Sequence, residues 1–280
     1  MFDCFIMNDE LDMLEIRLNT LHQFVEKFVL VESDRTHSGK EKEMYFDNNK
    51  SRFEKFLSKI IHLKHTAHSV VDGGQAWGNE NLQRSTILNA LEIAKPTDGL
   101  LFISDIDEIP RPERLLEAKC VVCKRGLPVV FNLHYSMYFM NYVSETPSRG
   151  AYLYKPEDAK RVHDMFKCER HDPSSFRWHA NDVRYINDFP SIDDAGWHFS
   201  TMGGVDVIKK KLDSYAHLEF NTPELSSEEH LLKCMKDGVP YYEKLYKFND
   251  RPIRFLKKEM SFLPEYVKFN IDKFRKYILV

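Results

Sequence analysis

The sequence predicts an α/β fold, with a mostly parallel sheet flanked by helices and an elaborated C-terminal half. Short apolar runs alternate with amphipathic stretches through residues 2–103. Leu100–Ile103 is apolar throughout, as a strand buried on both faces would be. Each apolar run ends abruptly in polar residues, which is where sheets of this kind keep their ligand sites.

The elements follow in order. Phe2–Met7 reads as a strand. Asn8 or Asp9 then offers a side-chain oxygen to an orphan N–H and can cap a helix. Leu11, Leu14, Leu18 and Leu21 recur at helical spacing. Phe28–Val31 is a second strand running into Glu32 and Ser33, Asp34–Lys42 a polar loop, Lys50–Ser58 a helix and Ile60–Leu63 a third strand. Val70–Gly78 is loop-like. Asn79–Ala94 is a helix with Leu82, Ile87, Leu88 and Leu91 on its apolar side, broken by Pro96–Gly99 before the fourth strand. Strands alternating with helices make right-handed parallel βαβ units. Chemistry is therefore expected at Asn8, Glu32–Ser33 and Ser104–Asp107. Further on, Pro128–Tyr142, Tyr152–Tyr154 and Val183–Ile186 are β-prone, and Val205–Tyr215 and Ser227–Lys236 helical. With no repeat and no compositional break, residues 1–280 read as one domain.

Composition excludes several classes. The 280 residues are 42% hydrophobic and 30% charged, enough for a core without staples. A net charge of −3 argues against a protein that coats nucleic acid. No stretch is long and apolar enough to span a membrane. The start, MFDCFIMNDELDM, lacks a basic region and carries acids, unlike a signal peptide. The 5 cysteines, odd in number and irregularly spaced, read as reduced thiols, so the expected location is cytoplasmic.

The sharpest motif is LLFISDIDEIP. In an extended segment residues i and i+2 face the same way, so Asp105 and Asp107 converge while Ile106 turns to the core. Two converging carboxylates repel unless a cation lies between them, and oxygen ligands suit Mg²⁺ or Mn²⁺. Such a metal keeps positions for phosphate oxygens, so the expected ligand is a metal–diphosphate such as a nucleotide-sugar. Glu108 reads as a cap or salt-bridge partner. In Ala195-Gly196-Trp197-His198-Phe199-Ser200, Gly196 permits close backbone approach and His198 offers an imidazole as a third ligand. A G-x-G-x-x-G, a P-loop, an H-E-x-x-H and a G-x-S-x-G are all missing.

Together the blocks FDCFIMNDELDMLEIRLNTL and KFVLVESDRTHSGKEKEMYF, then Trp77, Glu80 and Arg84, then ISDIDEIP and AGWHFS resemble glycosyltransferase family 17. That family is typified by β-1,4-mannosyl-glycoprotein 4-β-N-acetylglucosaminyltransferase. The resemblance covers roughly residues 1–220. It implies a GT-A, Rossmann-like fold, a nucleotide-sugar donor (UDP-GlcNAc), a divalent metal, inversion at the anomeric carbon and a glycan acceptor. Residues 1–110 then form the nucleotide-sugar half and 111–280 the acceptor half. Asp105 and Asp107 carry over as the metal–diphosphate motif, and His198 by similarity to the late histidine of GT-A domains.

Under that reading Arg84 adds a fixed positive charge or pairs with Glu80 along its helix. Glu32 and Ser33 contact the nucleoside, or Glu32 forms a loop salt bridge. An inverting transfer also needs a carboxylate for the acceptor proton. Candidates are Asp193, Asp194 and Glu219, with Glu219 preferred.

Other readings compete. Cys120 and Cys123 invite zinc with Cys168 and His171, against buried thiols on a helix. His163, His171 and His179 read as an acceptor-side loop or plain surface. Core packing is the default for Trp77, Trp178 and Trp197, and at most one of them is expected to stack on a sugar. Arg251–Val280, with a net charge of +5, is either a membrane-surface segment touching a lipid-linked or anionic acceptor, or a packed terminal helix. The alternative functions are a phosphohydrolase of the haloacid dehalogenase type, whose expected Thr or Val is here Ile109, and a non-catalytic glycan-binding module.

Overall fold

The computed structural model describes residues 1–66, 76–158, 189–243 and 253–280. The expected strand Val183–Ile186 and most of the expected loop Val70–Gly78 lie outside them. The α/β class is the one found. β1 (Phe2–Met7), α1 (Leu11–Leu21), β2 (Lys27–Ser33) and β3 (Ile60–His65) build the first crossovers, with the short helix α2 (Tyr45–Asn48) and a 3₁₀ helix Lys50–Lys59 before β3. Next come α3 (Ala76–Ser85), α4 (Ala90–Ile93), β4 (Leu101–Asp105), β5 (Glu108–Pro110) and α5 (Pro112–Arg125). The expected single helix over 79–94 is already helical at Ala76, where the described residues resume, and passes through a 3₁₀ turn, Thr86–Asn89, between α3 and α4.

The second half adds β6 (Val129–Tyr138), β7 (Tyr142–Ser144), β8 (Ser148–Tyr154), β9 (Ser191–Ile192), β10 (Gly196–Met202), α6 (Val205–Ser214), α7 (Glu228–Asp237), β11 (Phe255–Lys257), α8 (Glu265–Phe269) and α9 (Ile271–Phe274). Among the described residues 11 strands share one sheet, ordered β11-β7-β6-β8-β4-β1-β2-β3, with β9 and β10 paired to β6 and β5 paired to β10. β3, β2, β1 and β4 are mutually parallel. β8 joins β4 antiparallel and starts the C-terminal elaboration.

All six residues of β1 are buried. Strand side chains alternate between faces. Phe5 and Met7 accordingly enter the core shared with Leu14, Leu18, Phe28 and Phe102, while Cys4 and Ile6 join Val29, Ile87 and Ile103 on the other side. A third cluster, around Tyr138, Ile208, Leu212 and Leu231, seats α6 and α7.

The α1 cap differs from expectation. Glu10 occupies the cap position without a side-chain cap bond. Its carboxylate instead turns back to accept the N–H groups of Asn8 and Asp9 at 2.9 and 3.0 Å.

The C-terminal segment docks on α1. Glu15 takes Arg52 (2.7 Å), the Tyr266 hydroxyl (2.6 Å) and Lys273; Asp12 takes Arg52, the Tyr277 hydroxyl (2.6 Å) and Lys276 (2.9 Å). Burial works to raise both carboxyl pKa values, but these partners outweigh it and hold both below the usual 3.8 and 4.5. A depressed folded pKa gives stability that is complete above the unfolded value and lost as pH falls through the folded one. Amide hydrogen exchange in residues 265–277 is therefore expected to quicken as pH drops from 5.5 toward 3 in wild type, after correction for the intrinsic rate (both limits approximate). The Asp12→Asn/Glu15→Gln variant should show no such dependence. A wild-type segment equally protected at both ends of that range would remove the docking role of these acids.

Candidate functional site

A cleft of about 730 Å³ opens beyond the carboxyl ends of β1 and β4. Asp105 is the last residue of β4, and Ile106 and Asp107 form a turn before β5. The expected extended geometry is thus replaced by a turn, yet Asp105 and Asp107 both line the cleft and Ile106 joins the main core. A fully buried arginine holds this turn. Arg17 Nη1 donates to the carbonyl oxygens of Asp105 (2.9 Å), Ile106 (3.3 Å) and Glu108 (2.9 Å). Its other donors reach Asp3 (2.8 Å) and Ser104 Oγ (2.6 Å).

Glu108 is buried beneath the turn and accepts the Asp105 N–H at 2.9 Å, so it caps its own motif. Its carboxylate lies over Gly150, where an added Cβ would fall 1.7 Å from Oε1. Gly196 has φ +146°, and a Cβ there would fall 2.2 Å from the Ile109 carbonyl oxygen. Only glycine lets β10 approach β5 this closely.

Each carboxylate has its own cations. Asp105 receives Arg84 Nη2 at 2.7 Å, and Arg84 also holds Glu80 at 2.9 Å, so the expected pairing along its helix is present. Burial opposes the charge on Arg84, but Asp105 and Glu80 outweigh it and raise its pKa. Its buried Nε and Nη1 have no hydrogen-bond partner among the described residues. Asp107 faces His198 Nε2 at 3.8 Å and Lys211 Nζ at 3.7 Å. His198 Nδ1 is tied to Ser148 Oγ at 2.9 Å, which turns Nε2 toward Asp107. For Lys211 burial is again outweighed, chiefly by Asp107, and the pKa rises, so the ammonium keeps its charge.

The donor set suits a divalent cation in one arrangement. Asp107 and His198 can each give one ligand to a metal that reserves its other positions for phosphate and water. Asp105 is committed to Arg84. No group of three His, Cys, Asp or Glu is gathered for a metal among the described residues.

The structure places the remaining expected site residues elsewhere. Glu32 is buried: its oxygens take the N–H groups of Phe46 (2.7 Å) and Asp47 (3.3 Å), and His62 lies 3.1 Å away. Ser33 Oγ accepts the Arg35 N–H at 3.2 Å. Neither lines the cleft, because both serve the loop that follows β2. Asp194 sits in a turn at φ 50°, ion-paired to Arg111 (3.3 Å) and beside His134 (2.6 Å), outside the cleft lining. Asp193 accepts from Asn132 at 2.6 Å. Glu219 is exposed and 2.6 Å from His217 Nδ1, and of this pair only His217 lines the cleft.

Cys120 and Cys123 are exposed on α5 rather than buried, because the buried side of that helix carries Leu115, Ala118 and Val122. Cys168, His163, His171, His179 and Trp178 lie outside the described residues. Trp197 is a core residue whose Nε1 donates to the Phe262 carbonyl at 2.8 Å. Trp77 is 45% exposed in the cleft wall, edge-on to His217, which stacks on Phe220, which in turn stacks on Tyr242.

Two residues that sequence reasoning passed over stand at the centre. Lys211 belongs to a run of three lysines that looks like a solvated face. Glu10 looks like part of a helix start. In the structure Glu10 lines the cleft, and burial, then Asp9 and Asp107, push its pKa up to about 7. Their only sequence signal is position, since Glu10 follows the first strand and Lys211 lies on the helix after the AGWHFS block.

The sequence model described as glycosyltransferase family 17 matches residues 1–279. No match is found among curated proteins. Among solved structures, the chain is similar to 4-diphosphocytidyl-2C-methyl-D-erythritolsynthase from Anaerococcus prevotii, at 12% identity over 69% of this chain and 86% of that one, with a TM-score of 0.40. It is also similar to S. aureus TarS 1–349, at 13% identity over 87% of this chain and 72% of that one, with a TM-score of 0.42.

Proposed function

The chain belongs to glycosyltransferase family 17, and from that premise we propose a metal-dependent, inverting transfer of a sugar, GlcNAc from UDP-GlcNAc, onto a hydroxyl of a glycan acceptor. The observation that carries this is the cleft itself, where Asp105, Asp107, Arg84, His198 and Lys211 meet beyond the parallel strands. A Mn²⁺ or Mg²⁺ ion held by Asp107 and His198 would supply Lewis-acid charge to a diphosphate leaving group. Arg84 and Lys211 are fixed cations beside that group and need no reorganisation as its charge grows. Asp105 holds Arg84 in place. Glu10 receives the proton of the acceptor hydroxyl as the new C–O bond forms and the bond to diphosphate breaks. A carboxyl poised near neutral pH suits that task, and Asp194 and Glu219 stand outside the lining.

The test is UDP release from UDP-GlcNAc, with and without Mn²⁺, in the presence of mannose- and GlcNAc-terminated oligosaccharides. Release that requires metal, and that oligosaccharide raises well above a slow release to water, is the expected result. Cleavage of an aryl phosphate without UDP release would point to a phosphohydrolase, and neither activity to a binding module. UDP release unaffected by chelation would remove the metal from the proposal.

A further inference from the structure

A second cavity of about 410 Å³ adjoins the cleft and shares Asn8, Glu10, Asp107, Lys211 and Ser214 with it. We propose that this chamber is the acceptor subsite and that it takes a neutral polyhydroxyl ring, an uncharged sugar unit, rather than a phosphorylated one. The proposal rests on the sugar-transfer reading above and adds where the acceptor sits and what charge it carries.

The argument starts from the lining. Arg52, Lys210, Lys211 and Lys276 are its cations, and Asp9, Glu10, Asp12 and Asp107 its acids. Each of these cations faces a carboxylate: Arg52 and Lys276 face Asp12, Lys210 faces Asp9 and Lys211 faces Asp107. Lys211 and Asp107 are shared with the cleft. Among the described residues the chamber's own cations, Arg52, Lys210 and Lys276, are matched by Asp9, Glu10 and Asp12, which leaves it no surplus positive charge of its own to hold a phosphate. It offers N–H donors beside carboxylate acceptors, and a sugar hydroxyl, which both donates and accepts, fits that alternation.

The apolar part of the wall is made by Leu11, Met13, Phe199 and Met202, with Val207 of α6 at 40% exposure. Such a surface suits the C–H face of a pyranose. Thr201, β-branched yet at φ 56°, belongs to the same wall. Strain of that kind persists only where the surroundings impose it. The shared residues fix the direction of attack: an acceptor hydroxyl in this chamber meets the donor at Glu10.

Val207 lines the chamber and not the cleft, so Val207→Trp fills one and leaves the other open. Three readouts are taken on the full chain: UDP binding by calorimetry, UDP release with water or oligosaccharide as acceptor, and ligand-observed NMR of the methyl glycosides of mannose, glucose and GlcNAc in the presence of UDP. In Val207→Trp, UDP binding and release to water should stay within about twofold of wild type, while transfer to oligosaccharide falls about tenfold or more through the acceptor KM. The glycoside NMR signal should vanish in Val207→Trp and persist in Val207→Ala. In wild type the 6-phosphates of the same glycosides should bind more weakly than the neutral forms.

Unchanged glycoside binding and transfer in Val207→Trp would overturn the assignment, as would preferred binding of the 6-phosphates. Loss of UDP binding in step with transfer would overturn the separation of the chambers. Glycoside binding without any turnover of UDP-sugar would sink the transfer reading alone. Turnover with no glycoside binding to wild type would sink the subsite alone.

Discussion

Asp107→Asn is expected to lower UDP-sugar turnover by at least about 10³-fold, the scale on which a preorganised charge at a developing anion acts, while the protein keeps its fold. Asp107 is 8% exposed, and its two oxygens point at different partners, His198 and Lys211. The structural contact at this residue is made by its backbone, whose carbonyl accepts the Phe199 N–H at 2.9 Å and pins β10 to the turn. Asn preserves that bond and the side-chain volume but removes the charge. The Mn²⁺ ligand of the proposal is weakened, and Lys211 loses its chief partner. Turnover is measured against Mn²⁺ concentration together with the melting temperature. The expected pattern is a collapse of turnover that excess metal only partly restores, with a melting temperature within about 2 °C of wild type, the shift that a loss of about 1 kcal/mol produces in a chain of this size. Turnover within tenfold of wild type would remove Asp107 from the chemistry.

Local pattern made much of the N-terminal half legible. β1 and α1 begin where an apolar run passes into leucines at helical spacing, and both elements sit at those residues. Asp105 and Asp107 stood out because carboxylates at the end of an apolar strand have few structural uses. Gly196 stood out because a glycine beside an imidazole suggests close approach, and β5 is the backbone that approaches it. What stayed hidden depends on partners distant in sequence. Glu32 follows a strand as a ligand residue would, but it serves Phe46, Asp47 and His62. Nothing local distinguishes Lys211 from Lys209 and Lys210; only the docking of α6 beside β10 turns it to Asp107. The exposure of Cys120 and Cys123 follows from which side of α5 meets the sheet, and their own spacing does not report it.

Arg17 shows the same point in its strongest form, and replacing it should give the largest loss of stability of any single change considered. From sequence it is a charged residue in an amphipathic helix. In the structure it is fully buried, with its guanidinium over the Phe5 ring at 4.5 Å. It satisfies three carbonyl oxygens of the motif turn as well as Asp3 and Ser104. A planar fork with five donors can meet all of these at once, whereas the ammonium of lysine has three donors on a point charge. Arg17→Met leaves the Asp3 carboxylate buried without its cation and should cost about 3–5 kcal/mol. Arg17→Lys should recover only part of that.

The pH dependence separates lost charge pairing from lost packing. Burial already lifts the Asp3 pKa above its usual value, against the opposing pull of Arg17. Without Arg17 it rises further. A carboxyl with a raised folded pKa loses stability as pH climbs from the unfolded pKa to the folded one. The deficit of Arg17→Met, measured by urea denaturation, should therefore be smaller near pH 4 than at pH 7, both taken as approximate points on either side of the Asp3 titration. Adding Asp3→Asn should flatten that difference and return part of the stability at pH 7. A deficit equal at both pH values would assign the loss to packing and to the orphaned carbonyls. In that case the Asp3–Arg17 pair would not be what sets the carboxylate turn.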